Sequence, residues 1–287
     1  MSGRDYRTGA PVAQGSPASA SVIGLVGRDL NAPVFAELAE GLQHRIGEDR
    51  RVVLLASSHG DAGRLGEVLE SLRSLSAEGV VVLGGVDRPD DVARCARRGL
   101  PVAVVGDCVR TPNVACVGFD RERAARVSVD HLAASRLRRI GMIGAPIGPR
   151  NSSPAERAFF AAVQAAGVEG AVVRADATVE GGGAALRDLV AGFRGVDGVV
   201  AHNDLMAIGV IREAADLGIR VPAEIAVVSA EEMGLGALVI PALTSVRPVR
   251  ERLVEAVVTA LGRLIEEPGL SPELVAVPVE LVVRESA

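Results

Sequence analysis

The chain has 287 residues, of which 48% are hydrophobic, enough for about two domains with large cores and too apolar for general disorder. Its net charge is −5, with arginine as the only strongly basic residue type, a balance that argues against strong nucleic-acid binding by this chain alone. No apolar run reaches membrane-spanning length and residues 1–20 lack the apolar segment of a secretory signal, so a cytoplasmic protein without membrane attachment is expected.

In chain order, Ser21 to Gly27 reads as a buried strand, followed by a helix from about Pro33 to Ile46. Arg51 to Ala56 is a second strand. The helix over 61–77 carries Leu65, Val68, Leu69, Leu72 and Leu75 on one side. Gly79 to Leu83, Pro101 to Val105 and Val114 to Val117 are further strands, with a helix over 89–97 between the first two. Asp120 opens a helix to about Leu132. A second, similar series then begins at Arg139 to Gly144, with helices near 154–166 and 183–193 and a strand at 171–174. Alternating strands and helices dictate parallel sheets covered on both faces, and two such series suggest two similar α/β lobes rather than one closed barrel.

The stretch 197–231 is the most informative. A short apolar strand ends in His202, Asn203 and Asp204, at the start of a helix whose apolar positions include Met206, Val210, Ala214 and Leu217. Gly218 and Pro222 stop that helix, and a second strand, Ile225 to Val228, ends on Ser229 and the Glu231-Glu232 pair. Adjacent parallel strands thus deliver polar groups to one carboxyl edge, where open α/β sheets bind ligands. Asn203 or Asp204 serves equally well as a plain helix cap. Cys95, Cys108 and Cys116 have no metal spacing and read as reduced thiols, although Cys108 and Cys116 could meet across a turn. The four histidines show no metal spacing either, and no cofactor is implied. Gly181-Gly182-Gly183 and the GMIGAPIG run at 141–148 lack the context of a dinucleotide loop, and there is no phosphate loop, nucleophile elbow or zinc motif, so an enzyme is not expected.

The motifs HNDLMAIG (202–209), LGIRVPAEIAVV (217–228), PALTSV (241–246) and VPVELVVRES (277–286), with weaker pieces at 32–38, Asp120 and 138–144, resemble in order and spacing the effector-binding core of the LacI/GalR family of bacterial transcription regulators. That resemblance implies two similar doubly wound parallel-sheet lobes joined by three crossovers, the periplasmic binding protein-like type I fold. It divides the chain into a tail or hinge remnant (1–20), a first lobe (21–135 plus 248–270) and a second lobe (136–247 plus 271–287). It also implies a small-molecule effector, sugar or nucleoside-like, bound between the lobes of a homodimer. Operator DNA would be reached only through a helix-turn-helix head of roughly sixty residues, for which this sequence has no counterpart. Pro11 and Pro17 make 6–20 poor hinge-helix material, leaving open whether the head was trimmed or is naturally missing.

By the same resemblance, ligand contacts fall on Phe35, Arg150, Ser152, Arg157, Asn203 and Glu231. Phe35 reads equally as core. The family's ligand-binding arginine aligns at Ala155, so Arg157, two positions later, reads either as a pocket donor or as a solvent-face residue. A stacking aromatic is replaced by Ala177, and Glu231 stands where the family usually has Asp. The loop 234–243 (GLGALVIPAL) is a candidate dimer patch or a buried crossover. A stand-alone binding protein of the solute-transport type, and a headless sensor pairing with a complete relative, are the alternatives.

Overall fold

The computed structural model describes residues 21–287 except 28–29, 31–32, 48–50, 60, 84–85, 87, 107–108, 147–152 and 272. The tail reading of 1–20 and the positions Cys108, Arg150 and Ser152 therefore lie outside the described residues.

The first half alternates strand and helix as far as β4, which β5 follows directly: β1 (Val22–Gly27), α1 (Pro33–Gly47), β2 (Val52–Ser57), α2 (Ala62–Ser74), β3 (Gly79–Leu83), α3 (Pro89–Arg97), β4 (Val102–Val105) and β5 (Val114–Phe119). β3 is buried along its whole length and β4 along nearly all of it, as strands covered on both faces of a parallel sheet must be. Asp61 accepts from the Gly63 N–H to start α2, and Pro89 with Asp90 and Asp91 starts α3.

The second half repeats the pattern with α4 (Arg121–Ala134), β6 (Arg139–Gly144), α5 (Pro154–Ala166), β7 (Glu169–Arg174), α6 (Val179–Gly192), β8 (Gly198–Ala201), α7 (Asp204–Asp216), β9 (Ala226–Ser229) and β10 (Thr244–Pro248). The chain then returns to the first body as α8 (Arg250–Glu266) and β11 (Glu273–Val277), and ends in the second as β12 (Val279–Val282). The result is two six-stranded sheets, ordered β11-β5-β4-β3-β1-β2 and β12-β10-β9-β8-β6-β7. Every pair is parallel except β10 with β12. Apolar clusters cover the faces of both sheets; α1 and α8 contribute to one in the first body, α6 and α7 to one in the second. α6 and α7 approach closely because a Cβ at Gly182 would strike the Met206 carbonyl and one at Gly209 the Val179 carbonyl.

Three segments cross between the sheets, at 119–121, 248–250 and 277–279, and they are tied to one another. Asp120 N–H donates to the Val277 carbonyl (3.1 Å) and Val249 N–H to that of Pro278 (2.9 Å). The first crossing falls ahead of the expected boundary at 135. The apolar face of α4 (Ala124, Ala125, Val129, Leu132) packs with Phe159 and Val228 in the second body. Periodicity identifies that helix but does not say which sheet its apolar face covers. The stretch 273–282 is likewise two strands: β11 completes the first sheet beside β5, and after Pro278 the chain pairs in the second sheet instead.

Candidate functional site

The carboxyl edge of β8 and β9 is built around a fully buried carboxylate. β8 ends at Ala201, and the His202 N–H still bonds the Ile143 carbonyl of β6 (2.9 Å). Asn203 then takes the extended conformation of a helix cap, its Oδ1 accepting from the Met206 N–H (3.1 Å). Asp204 turns inward. Its Oδ2 accepts from the N–H groups of Met233 (2.8 Å) and Leu235 (3.2 Å), and its Oδ1 from the Ser245 hydroxyl (3.3 Å). Of the two candidates, Asn203 is the cap and Asp204 fastens the loop after β9. A buried carboxylate is costly unless saturated with donors, and backbone N–H groups saturate it here.

This fastening holds the Glu231 backbone against the start of α7. The Glu231 carbonyl accepts from the Asp204 N–H (3.3 Å) and from the Ser229 hydroxyl (3.1 Å). Its carboxylate meets Arg121 at the start of α4, with Nη1 2.9 Å from Oε2. The Arg121 guanidinium lies over the Phe119 ring, 4.8 Å from its centroid. Asp120 caps α4, accepting from the Arg123 N–H (2.8 Å).

Glu231 and Glu232, adjacent in sequence, serve different partners. Glu232 Oε1 pairs with Arg284 Nη2 (2.6 Å), whose Nη1 donates to the Leu243 carbonyl (2.6 Å). Arg247 lies 3.9 Å from the other Glu232 oxygen and bonds Glu280 through Nε (2.8 Å). This network borders a cavity of about 180 Å3 beside the crossings, lined from the second body by Glu232, Arg247 and Arg284 and from the first by Leu38, Arg250 and Leu253.

A second anchor lies at the start of α5. Ser153 Oγ accepts from the Glu156 N–H (3.1 Å), half of a capping box. The Glu156 carboxylate is buried and held by Arg174 at the end of β7 through Nε (2.8 Å) and Nη2 (2.6 Å). That guanidinium keeps the Glu156 carboxyl below its usual range, against the opposing effect of burial. Ser153 and Glu156 have the S-x-x-E spacing, a signal the sequence reading passed over; nothing local marked Arg174 as the partner. Arg121 was also missed, because its proximity to Glu231 depends on which sheet α4 covers.

Among the sequence-predicted contacts, Asn203 and Glu231 lie on segments joined by the bond from the Asp204 N–H to the Glu231 carbonyl. Phe35 is not at an open edge: it is 3% exposed, within the first body's core, and its ring covers Gly27 so closely that a Cβ there would collide with it. Its bulk fills the space over the end of β1. Arg157 is exposed on α5, whose buried face is Glu156, Ala158, Phe159, Ala162 and Val163. Ala177 packs at the margin of the second core. The cysteines are not all reduced as expected: Cys116 is disulfide-bonded, whereas Cys95 is a free, buried thiol. Among the described residues there is no group of three or more side chains able to hold a metal, and no helix long and apolar enough to cross a membrane.

The profile of a periplasmic binding protein-like domain matches residues 129–287. An HTH-type transcriptional regulator from the aml 5′ region of Streptomyces limosus is 31% identical over 283 residues, spanning 93% of this chain and 79% of the relative. The chain belongs to the LacI family of transcriptional regulators. A solved LacI-family regulator from Sanguibacter keddieii superposes with a TM-score of 0.75 at 29% identity, over 92% of this chain and 97% of the other. A complex of the transcriptional regulator CelR with cellobiose superposes with a TM-score of 0.71 at 26% identity, over 93% and 84%. The two linked sheets are thus the ligand-sensing core of a LacI-family regulator, and its relatives are transcriptional regulators rather than enzymes.

Proposed function

We propose that this LacI-family core binds a neutral polyhydroxylated molecule, a sugar or a nucleoside-like compound, between its two bodies, with Asn203 and Glu231 as the principal contacts. The observation that supports this reading is the Asp204 network, which ties the loop carrying Glu231 to the start of the helix that Asn203 caps, at a carboxyl edge. The cap occupies Asn203 Oδ1, so its amide N–H groups are the ones to offer a ligand, while Glu231 accepts hydroxyl donors. Arg150, Ser152 and Arg157, on or beside the loop before α5, are proposed as further donors. That CelR was solved with cellobiose favours a sugar. Catalysis has no part in this reading.

Ligand favours closure of the two bodies to the extent that it binds the closed state better. In a homodimer, closure changes the spacing of the first bodies and so of DNA-reading heads on a complete regulator, which acts in the cytoplasm. Two apolar patches support the dimer. Leu238 and Ile240 are 76% and 92% exposed, so the 234–243 loop presents part of its apolar surface, and Val52, Leu54 and Leu55 are exposed on the edge strand β2.

The test is thermal melting of the chain against neutral sugars, sugar phosphates, nucleosides and purines. At one hundred times its dissociation constant, a ligand adds about 2.7 kcal/mol and raises the melting temperature. The reading expects a hit that Asn203→Ala and Glu231→Ala abolish. A hit insensitive to both places the site elsewhere.

A further inference from the structure

The carboxyl edge of the second sheet continues past Asn203 to the end of β7, where Arg174 stands. Arg174 closes that strand and pairs in register with Gly144, the last residue of β6. Ile143, one residue earlier, pairs with Ala201 of β8. Arg174 is therefore level with the turn that leads into Asn203, two strands away, or about 10 Å along the edge. Its side chain leans over the end of β6. A Cβ at Gly144 would lie 3.9 Å from Arg174 Cγ and 3.2 Å from Glu156 Oε1, so the glycine leaves the room in which this ion pair forms.

The pair is unequal. The Glu156 side chain keeps 3% of its surface exposed and that of Arg174 keeps 46%. Glu156 engages the side edge of the guanidinium, through Nε and Nη2. A guanidinium has five N–H donors in a rigid plane, so the end-on fork, made of parallel N–H groups on Nη1 and Nη2, is left for a further acceptor. The carboxylate beneath fixes the fork in advance, which spares a ligand the cost of ordering it. Glu156 stays ionised, because Arg174 holds its carboxyl below the usual range, and so balances the guanidinium charge.

We propose that Arg174 is a specificity-determining contact whose fork reads two neighbouring oxygens of a neutral sugar, at the end of the ligand remote from Asn203. Parallel N–H groups match a vicinal diol, and a lone hydroxyl engages only one of them. A carboxylate or phosphate meets a cation already balanced by Glu156 and still loses its hydration, so the fork favours the neutral diol. The proposal rests on Asn203 being a ligand contact, and it adds what the other end of the ligand must carry.

The probes are glucose and galactose, the 2-, 3-, 4- and 6-deoxy forms of each, and glucose 1- and 6-phosphate, titrated calorimetrically into wild type and variants. Wild type is expected to bind one of the two sugars and to lose about tenfold when either hydroxyl of one vicinal pair is removed. Arg174→Lys keeps the charge beside Glu156 without the fork. It should weaken the intact sugar about tenfold and bind the two deoxy forms as it binds the intact one. Glu156→Met with Arg174→Met replaces the buried pair by apolar side chains, leaves no stranded carboxylate, and should give the same result if Arg174→Lys does not melt cooperatively. A merely structural pair would weaken intact and deoxy sugars by the same factor. Variants that keep the wild-type ratio between intact and deoxy sugars therefore overturn the proposal. A wild-type chain that takes either phosphate ahead of glucose, or binds none of the probes, overturns it too. Sugar binding indifferent to Asn203→Ala fails the underlying reading instead.

Discussion

At the carboxyl end of β1, in the first sheet, Gly27 is covered by the buried Phe35 ring, an apolar closure continuous with the core. At the carboxyl ends of β8 and β9, in the second sheet, Asn203, Asp204 and Glu231 join in a hydrogen-bond network instead. The two bodies share an architecture and differ in what they hold at the edge. Polar groups stay in a dry edge only when bonded, so the network marks where the chain has kept polar side chains in fixed positions. On the proposed reading, recognition is concentrated in the second body and the first closes on it.

Asp204→Ala tests this contrast most severely. It strands the Met233 and Leu235 N–H groups and the Ser245 hydroxyl, and should lower unfolding stability by about 3–5 kcal/mol in denaturant titrations. Phe35→Ala probes the other edge. The loss of a core aromatic should reduce stability by about 3–4 kcal/mol while the folded fraction keeps its ligand affinity. Unchanged stability with lost affinity would instead place recognition in both bodies.

Glu156→Gln, at the anchor of α5, should be destabilising by about 1–3 kcal/mol at pH 7. Because Arg174 lowers the Glu156 carboxyl from its ordinary value, the native state gains stability above the unfolded-chain value of about 4.3. That gain disappears as pH falls through the lower folded value, so the gap between wild type and variant should narrow on acidification. A gap independent of pH would remove the ion pair from the explanation. Ile240→Asp should change monomer stability by less than about 0.5 kcal/mol, since the side chain is exposed, yet reduce dimer content in sedimentation runs.

The sequence made most of the architecture legible, for a physical reason. β3, β8 and β9 are buried along their whole length, so their apolar runs stand out, and α2, α3 and α7 carry visible caps or first-turn prolines. What it hid were choices made by tertiary packing. The apolar face of α4 fits either sheet in principle, and the ends of β11 and β12 differ only by Pro278 and by which neighbour lacks a partner strand. For the site, N-D and the later E-E were visible as polar groups at strand ends. Their division of labour was not: Asn203 caps, Asp204 fastens, Glu231 meets Arg121 and Glu232 meets Arg284. Partners 29 to 110 positions away leave no trace in local spacing.

The most direct measurement is amide hydrogen exchange on the chain with and without a ligand found by melting. Concentration of recognition at the second edge predicts new protection at 203–206 and 229–235 and at the three crossings, with the outer helices α2 and α3 unchanged. Protection confined to α1 and the first sheet, with 203–206 and 229–235 exchanging as before, would contradict it.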